Sequence, residues 1–208
     1  MIDGINLPLI LIAAFLASAS PGPATLTIAG TSMSSGRKAG LAVASGVTTG
    51  SFVWSVSAAF GLGAVMLAHA WLFEIVRYFG AGYLLWLAIK AGRSAWMGAR
   101  LKTPDLPIST PARAYAKGLA LHLTNPKAIL FFGALYSIGI PPDTSWQGLL
   151  IVIFSVGFQS LVMFHLYAII FSSAPMTAAY ARLKRGFEAV FAIAFGAGAF
   201  SILTARLG

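Results

Sequence analysis

The chain has 208 residues, of which 58% are hydrophobic and only 9% charged, and its formal net charge is +9. A soluble domain of this size carries about 25% charged residues. There are too few polar side chains here to cover a globular surface, and the mean hydropathy of +0.85 agrees. The absence of cysteine excludes disulfides, thiolate metal sites and thiol redox chemistry.

The positive charge is distributed in a way that argues against nucleic acid. Most of the basic residues fall in three clusters, Arg37/Lys38, then Lys90, Arg93, Arg100, Lys102, Arg113 and Lys117, then Arg182, Lys184 and Arg185. All lie between or at the ends of apolar runs, without the aromatic interleaving that grips bases. Beside membrane spans such clusters are topology signals.

A helical span needs roughly 20 apolar residues, and six stretches qualify, at about 5–30, 39–68, 71–96, 114–140, 146–172 and 187–206. The first follows an n-region, "MIDGIN", that holds an aspartate and no Lys or Arg, so it reads as an uncleaved span despite "ASAS" at 17–20. The predicted loops at 31–38, 97–113 and 173–186 are basic, whereas those near 69–71 and 140–145 contain no Lys or Arg. By the positive-inside rule the basic loops are cytoplasmic and both termini lie outside, with Arg206 opposing this assignment.

A repeat is visible along the chain. "FGAG" occurs at 79–82 and 195–198, and "SPGP" at 20–23 corresponds to "TNPK" at 124–127. Three spans per half is an odd number, so the halves must be oppositely oriented, as in many secondary transporters. The predicted fold is all-α: one transmembrane domain of six helices in two inverted three-helix repeats. Repeat 1 covers about 1–97, the cytoplasmic loop about 98–113 and repeat 2 about 114–208.

Spans 1 and 4 carry proline in their interior. Ser20-Pro21 and Asn125-Pro126 each read as an N-cap followed by proline at the first helical position. Each span then becomes two half-helices, and the second half presents free N–H groups and a positive dipole end, which attracts a carboxylate. Lys127 follows one break directly. A charge at mid-bilayer costs on the order of 3 kcal/mol. Two readings stand open: it packs against a half-helix carbonyl or snorkels, or it neutralises an anionic group of the solute.

These motifs are similar to those of the LysE/RhtB family of amino-acid exporters. The resemblance rests on "SPGPATL", "GRKAGLAVASGVTTGSFVW", "GAGYLLWLAIKAGRS" and "LTNPKAILFF", in matching order and spacing over nearly the whole chain. It implies a multi-pass translocator of the bacterial inner membrane that exports amino acids or similar small zwitterions, energised by the proton gradient, and implies no enzyme activity and no cofactor. The family's motif positions fall on Pro21, Gly22 and Pro23, Gly46 and Gly50, Tyr83, and Asn125, Pro126 and Lys127. Many members carry an aspartate directly after the second glycine of span 2, where this chain has Ser51, and "SIGIPP" replaces the usual end of span 4. The candidate solute-binding residues are therefore Ser20, Pro21, Gly22, Pro23, Ser51, Asn125, Pro126 and Lys127.

Remaining polar residues within the spans complete the candidates. His165 and His122 are the side chains that could carry a proton, or be neutral packing histidines. Gln159 and Tyr167 share one face of span 5 and either line the path or hydrogen-bond to a neighbouring helix. Gly46 with Gly50, and Gly36 with Gly40, fit close helix packing, with Tyr83 beside them as a family position. Glu74 with Arg77, and Glu188 with Arg185, read as rim ion pairs. Scattered histidines without cysteine make poor metal ligands. Partners are a small solute and the lipid bilayer, with a homodimer an open possibility through the small-residue faces. Two rival functions remain: export of another solute on the same scaffold, and an intramembrane enzyme built on Ser with His122 or His165, for which no Gly-x-Ser-x-Gly is present.

Overall fold

The computed structural model describes residues 4–68, 70–97, 110–141 and 143–204. Those residues form helices only: α1 (Leu7–Ala19), α2 (Pro23–Ala68), α3 (Ala70–Met97), α4 (Pro111–Leu123), α5 (Pro126–Gly139), α6 (Trp146–Phe171) and α7 (Ala174–Thr204). The basic loop at 98–109, residue 69 and Arg206 lie outside the described residues, as do the side chains of Glu74, Arg77 and Tyr83.

The helix starts are written in the sequence. Asn6, Thr110, Asn125 and Ser145 are N-caps whose side chains accept a backbone N–H of the first turn, and proline stands in the first positions of α1, α4 and α5. A cap supplies an oxygen to a donor that the helix cannot satisfy, and proline there loses no hydrogen bond.

The apolar surface faces outward as well as inward. On α6, Val152, Ile153, Val156, Phe164, Ala168 and Phe171 are buried, whereas Phe154, Phe158, Leu161, Val162, Leu166 and Ile169 are exposed. Leu9, Ile12 and Phe15 on α1 and Val190, Ile193 and Phe200 on α7 are exposed too. A helix apolar on every face has hydrocarbon or protein around it, not water. Pro23–Gly61 and Trp146–Phe171 are long and apolar enough to cross a membrane. At 1.5 Å per residue α6 measures about 39 Å, while α1 and α5 reach only about 20 Å each, short of a hydrocarbon core of roughly 30 Å.

Contacts between named pairs give the helix directions. In the α3–α7 seam Gly92 faces Ala192 and Gly196 faces Ala88, so these helices run antiparallel. Leu87, Ala88 and Ala91 pack there with Phe191 and Phe195. α2 beyond its bend runs antiparallel to α6, since Ser45 meets His165 while Phe52 meets Gly157 and Phe154. It runs parallel to α4, with Val43 on Gly118 and Gly50 on His122. α1 runs parallel to α6, with Leu11 on Gln159 and Ala19 on Tyr167.

Glycines set the closest of these seams. A Cβ on Gly46 would sit 2.1 Å from the Tyr115 carbonyl oxygen, and one on Gly118 would sit 2.2 Å from that of Val43. Neither neighbour can yield, because both are helix backbone. In the Gly36/Gly40 pair, Gly40 has the expected packing role, with a Cβ there falling 2.0 Å from Ser32 Oγ, whereas Gly36 works differently. Gly36 adopts φ 83°, a left-handed conformation that glycine takes readily, and nothing lies within 4 Å of its absent Cβ. It is the bend of α2, and it folds Gly40 back onto Ser32.

Three expectations are corrected. The predicted loop at 31–38 contracts to the bend at Gly36, because one left-handed residue suffices to turn the chain and the segments on either side are helical. The predicted loop at 173–186 is helical from Ala174, with Pro175 in the first turn, so Arg182 and Arg185 ride on α7. Glu188 and Arg185 form no ion pair. The buried Glu188 carboxylate accepts from Ser94 Oγ at 3.0 Å, and Arg185 Nε donates to the Ala95 carbonyl at 3.0 Å. Successive helical turns direct the two side chains to different partners on α3.

Overpacking a filled seam costs roughly 1–3 kcal/mol, and about 1 kcal/mol moves Tm by roughly 2–4 °C at this size. We expect Gly46→Val to lower the melting temperature in detergent by about 5 °C or more. Gly61→Ala, where nothing lies within 4 Å, should leave it unchanged or raise it.

Candidate functional site

The two interruptions face each other. α1 ends at Ser20, extended at φ −72°, ψ 138°, and the chain resumes as a helix at Pro23. Ser20 is thus a C-cap rather than the expected N-cap, and the helix opens at Pro23 rather than Pro21, because two non-helical residues separate the halves. Between them the Gly22 N–H donates to Thr25 Oγ1 at 2.9 Å, and Thr25 Oγ1 donates back toward the Gly22 and Ser20 carbonyls at 3.2 and 3.4 Å. Thr25 is thus the local cap of α2, within the quoted "SPGPATL". The second interruption leaves α4 at Leu123 and re-enters α5 at Pro126, with Asn125 Oδ1 accepting from the Lys127 N–H at 3.0 Å.

Lys127 joins the two. Its Nζ donates to the Ser20 carbonyl oxygen at 3.2 Å and to Ser20 Oγ. A cation at the N-terminus of α5 is opposed by that helix's own dipole. The C-terminal end of α1, negative by the same rule, supplies the compensation. Hydrogen bonds to a charged group contribute about 1.5–3 kcal/mol, enough to offset an insertion cost of about 3 kcal/mol. Gly22 makes the approach possible, because a Cβ there would lie 3.2 Å from both Cδ and Nζ of Lys127.

Next to this contact is a cavity of about 50 Å³, lined by Ser18, Ser20, Gly22, Thr25, Ser51, His122, Asn125, Lys127 and Ser160 among small and aromatic residues, notably Phe131, Phe132 and Phe164. One water needs about 10–15 Å³ on this measure, so the space holds several waters or the polar end of a small solute. Among the described residues the lining contains one formal cation and no carboxylate.

Ser51 and His122 form the opposite wall. Ser51 Oγ lies 2.9 Å from His122 Nε2, and Trp54 Nε1 donates to the His122 carbonyl at 3.3 Å. The ring is 5% exposed, and its Nδ1 is buried without a hydrogen-bond partner. Serine and histidine are two members of a hydrolytic triad, but no carboxylate orients this ring through Nδ1 as the third member would.

Of the sequence candidates, Ser20, Gly22, Ser51, His122, Asn125 and Lys127 line the cavity. Pro21, Pro23 and Pro126 stand at the breaks and shape the backbone. Gln159 and Tyr167 turn elsewhere, Nε2 donating to the Leu11 carbonyl at 3.0 Å and the hydroxyl to that of Ala19 at 2.6 Å, so both tie α6 to α1. His165 lies in the α2–α6 seam, 3.0 Å from Ser45 Oγ, outside the cavity lining. Gly50 admits the His122 ring, whose Cβ would be 3.0 Å from an added methyl. Thr25, Ser160 and the three phenylalanines were not singled out by sequence. Thr25 was legible as a hydroxyl three residues after a break, whereas the rings look like any other apolar residue of a span.

A helical chain with an apolar exterior and a polar cavity between two interrupted helices has the form of a membrane translocator. The chain belongs to the LysE type translocator family, whose model matches residues 15–206. It is 29% identical over 182 residues to a threonine efflux protein of Salmonella typhi, covering 85% of this chain and 88% of that one. It is 33% identical over 168 residues to a leucine efflux protein of Enterobacter sp., covering 80% and 78%. With a homoserine/homoserine lactone efflux protein of Salmonella typhimurium it shares 33% over 133 residues, 64% of each chain. No solved structure matches the chain.

Replacing an N-cap by alanine costs about 1 kcal/mol. Asn125→Ala is expected to lose about that much stability in denaturant melts, and Asn125→Asp, which keeps the accepting oxygen, to stay within about half of it.

Proposed function

We propose that the protein is a secondary transporter of the bacterial inner membrane that exports small neutral amino acids or related zwitterions. The observation that carries this reading is the cavity between two interrupted helices, with Lys127 and the N-terminal end of α5 on its wall. A carboxylate entering there gains a fixed cation and a positive helix end. It also competes with Ser20 for the ammonium, so binding would loosen the contact between the two breaks. The efflux activities named for the relatives support the class of solute.

The arrangement we infer is six spans in two inverted repeats. α1 with the first arm of α2 is span 1, and α4 with α5 is span 4. The second arm of α2, α3, α6 and α7 supply the others. Supporting it, the pairs that such a repeat relates, α2 with α6 and α3 with α7, run antiparallel. The equivalent pairs α1 with α6 and α4 with α2 are both parallel. Both termini then lie outside, with Arg37, Lys38, Arg182 and Arg185 on the cytoplasmic side. We take the proton gradient as the driving force.

The lining also speaks to selectivity. Where many relatives resembling this chain carry an aspartate, Ser51 offers a neutral oxygen, and among the described residues Lys127 is the sole formal charge of the lining. Two like charges about 4 Å apart repel by roughly 1–4 kcal/mol between water and a partly buried site. Solutes with a second ammonium are therefore disfavoured by about fivefold or more.

In proteoliposomes loaded with threonine, homoserine, leucine and lysine, exchange of the neutral solutes should exceed that of lysine by at least about fivefold. Lys127→Ala should lower it by at least about tenfold with protein levels unchanged. Unaltered exchange in Lys127→Ala would remove the site. In a second test, Ser51→Asp should raise lysine exchange relative to threonine, and a ratio that stays put would show that position 51 does not face the ammonium.

A further inference from the structure

His165 occupies a hydrogen-bond arrangement that decides what it can do. Its Nδ1 lies 2.8 Å from the Leu161 carbonyl oxygen, one turn back on α6. A carbonyl only accepts, so Nδ1 carries a proton in every state that keeps this bond. Its Nε2 lies 3.0 Å from Ser45 Oγ on α2, and the same Oγ lies 3.0 Å from the Leu41 carbonyl. The hydroxyl has one hydrogen and two places to put it.

Two complete patterns follow. With the ring neutral, Ser45 donates to the Nε2 lone pair. When a proton binds Nε2, the Ser45 hydrogen rotates onto Leu41 O, and Nε2–H donates to the vacated lone pair of Oγ. No hydrogen bond is lost, no covalent bond other than N–H forms, and both ring nitrogens are partnered before and after. His122 has no such alternative. Its Nδ1 is buried without a partner while Nε2 meets Ser51, so a second ring proton would lack an acceptor.

We infer that His165 and Ser45 form a proton-binding site in the seam between α2 and α6, separate from the solute cavity, and that this site takes up and releases the coupling proton. The inference rests on the transporter reading above. The seam suits the task, because both helices also wall the cavity, α2 through Ser51 and α6 through Val156, Ser160 and Phe164. A charge gained on this seam therefore sits between two helices that wall the cavity. His165 is partly exposed and lies seven residues, about 10 Å, from Ser172, where Arg37 Nε donates to the Ser172 hydroxyl at 3.0 Å. That polar end lies about two helical turns from the ring.

The charged surroundings are sparse. α6 itself carries no Asp, Glu, Lys or Arg, and α1 carries no ionisable side chain. α2 contributes Arg37 and Lys38, and α7 contributes Arg182, Arg185 and Glu188. Tyr115 on α4 reaches the region through Thr49, whose hydroxyl bonds to the Ser45 carbonyl. Among the described residues, the ring's hydrogen-bond partners are Ser45 and Leu161.

The test pairs a spectroscopic reading with two flux assays on the full chain in lipid. With ¹⁵N-labelled imidazoles and His165→Gln to assign the signals, Nε2 of His165 should be protonated at the acid end and bare at the alkaline end of the range over which gradient-driven transport is measured, while Nδ1 stays protonated throughout. His165→Gln should retain amino-acid exchange at equal pH within about twofold and lose about tenfold or more of transport driven by a pH gradient, the size expected of a positioned proton-transfer group. Ser45→Ala, which leaves the ring in place, should give a partial version of the same split. A ring that keeps one protonation state over that range overturns the inference, as does gradient-driven transport unchanged in His165→Gln. If that variant loses both fluxes, Ser45→Ala and the ring titration decide between the outcomes. Wild-type protein that moves no amino acid in either assay would instead sink the exporter reading, and the titration would still decide the proton site.

Discussion

The Lys127 ammonium on the Ser20 carbonyl and hydroxyl is the contact on which the rest of the site depends. It is the point at which the two interrupted helices meet, and each partner supplies what the other lacks. α1 ends in carbonyls with no helical donor ahead of them, and α5 begins with a cation that its own dipole opposes. Setting one against the other satisfies both inside an apolar surround, where an unpaired group of either kind costs several kcal/mol. The same arrangement leaves a cavity beside the contact, lined with hydroxyls, an amide and one imidazole. An anion that reaches the ammonium must displace a protein oxygen, so solute binding and the closeness of the breaks are coupled through one charge.

That contact needs its neighbours held closely, and backbone proximity does this. Gly46 and Gly118 let α2 and α4 approach until a methyl group would collide with a carbonyl on either side. Gly50 then admits the His122 ring, and Ser51 one residue on meets its Nε2. The small residues of span 2 are thus tied to the site as well as to packing. On the far side, Gln159 and Tyr167 fasten α6 to carbonyls of α1, so the half-helix that ends at Ser20 is fixed at two levels. The Tyr167 bond, to Ala19, is one residue from the contact itself.

Much of this was legible in the sequence, for identifiable reasons. Proline after serine or asparagine within an apolar run has few structural meanings, and the Asn125-Pro126 break stands as the pattern put it, whereas at the first break Ser20 closes α1 and Pro23 opens α2. The LysE resemblance agreed with the family match over residues 15–206. The lysine was legible as an anomaly of cost, but its partner was not, because Ser20 lies 107 positions away and one serine among many carries no long-range signal. The loops were misjudged where charge was taken as a mark of irregular structure. Arg182 and Arg185 favour helices as much as they favour the membrane edge, and Gly36 turns the chain in a single residue. Glu188 was placed on the rim by its spacing from Arg185, when its surroundings on α3 decided instead.

The most direct test of the central claim is a distance measured in lipid between the carboxyl carbon of the bound solute and the Lys127 ammonium. Rotational-echo NMR with ¹³C-carboxyl amino acid and ¹⁵Nζ-lysine protein would read it, with Lys127→Met used to subtract the other lysines. We expect a coupling that corresponds to about 3–4 Å, as for a charge-assisted hydrogen bond to the carboxylate oxygen, and its disappearance in the variant. Saturating solute with no coupling to Lys127 would contradict the account, leaving the lysine as a structural tie between the breaks and placing the carboxylate elsewhere.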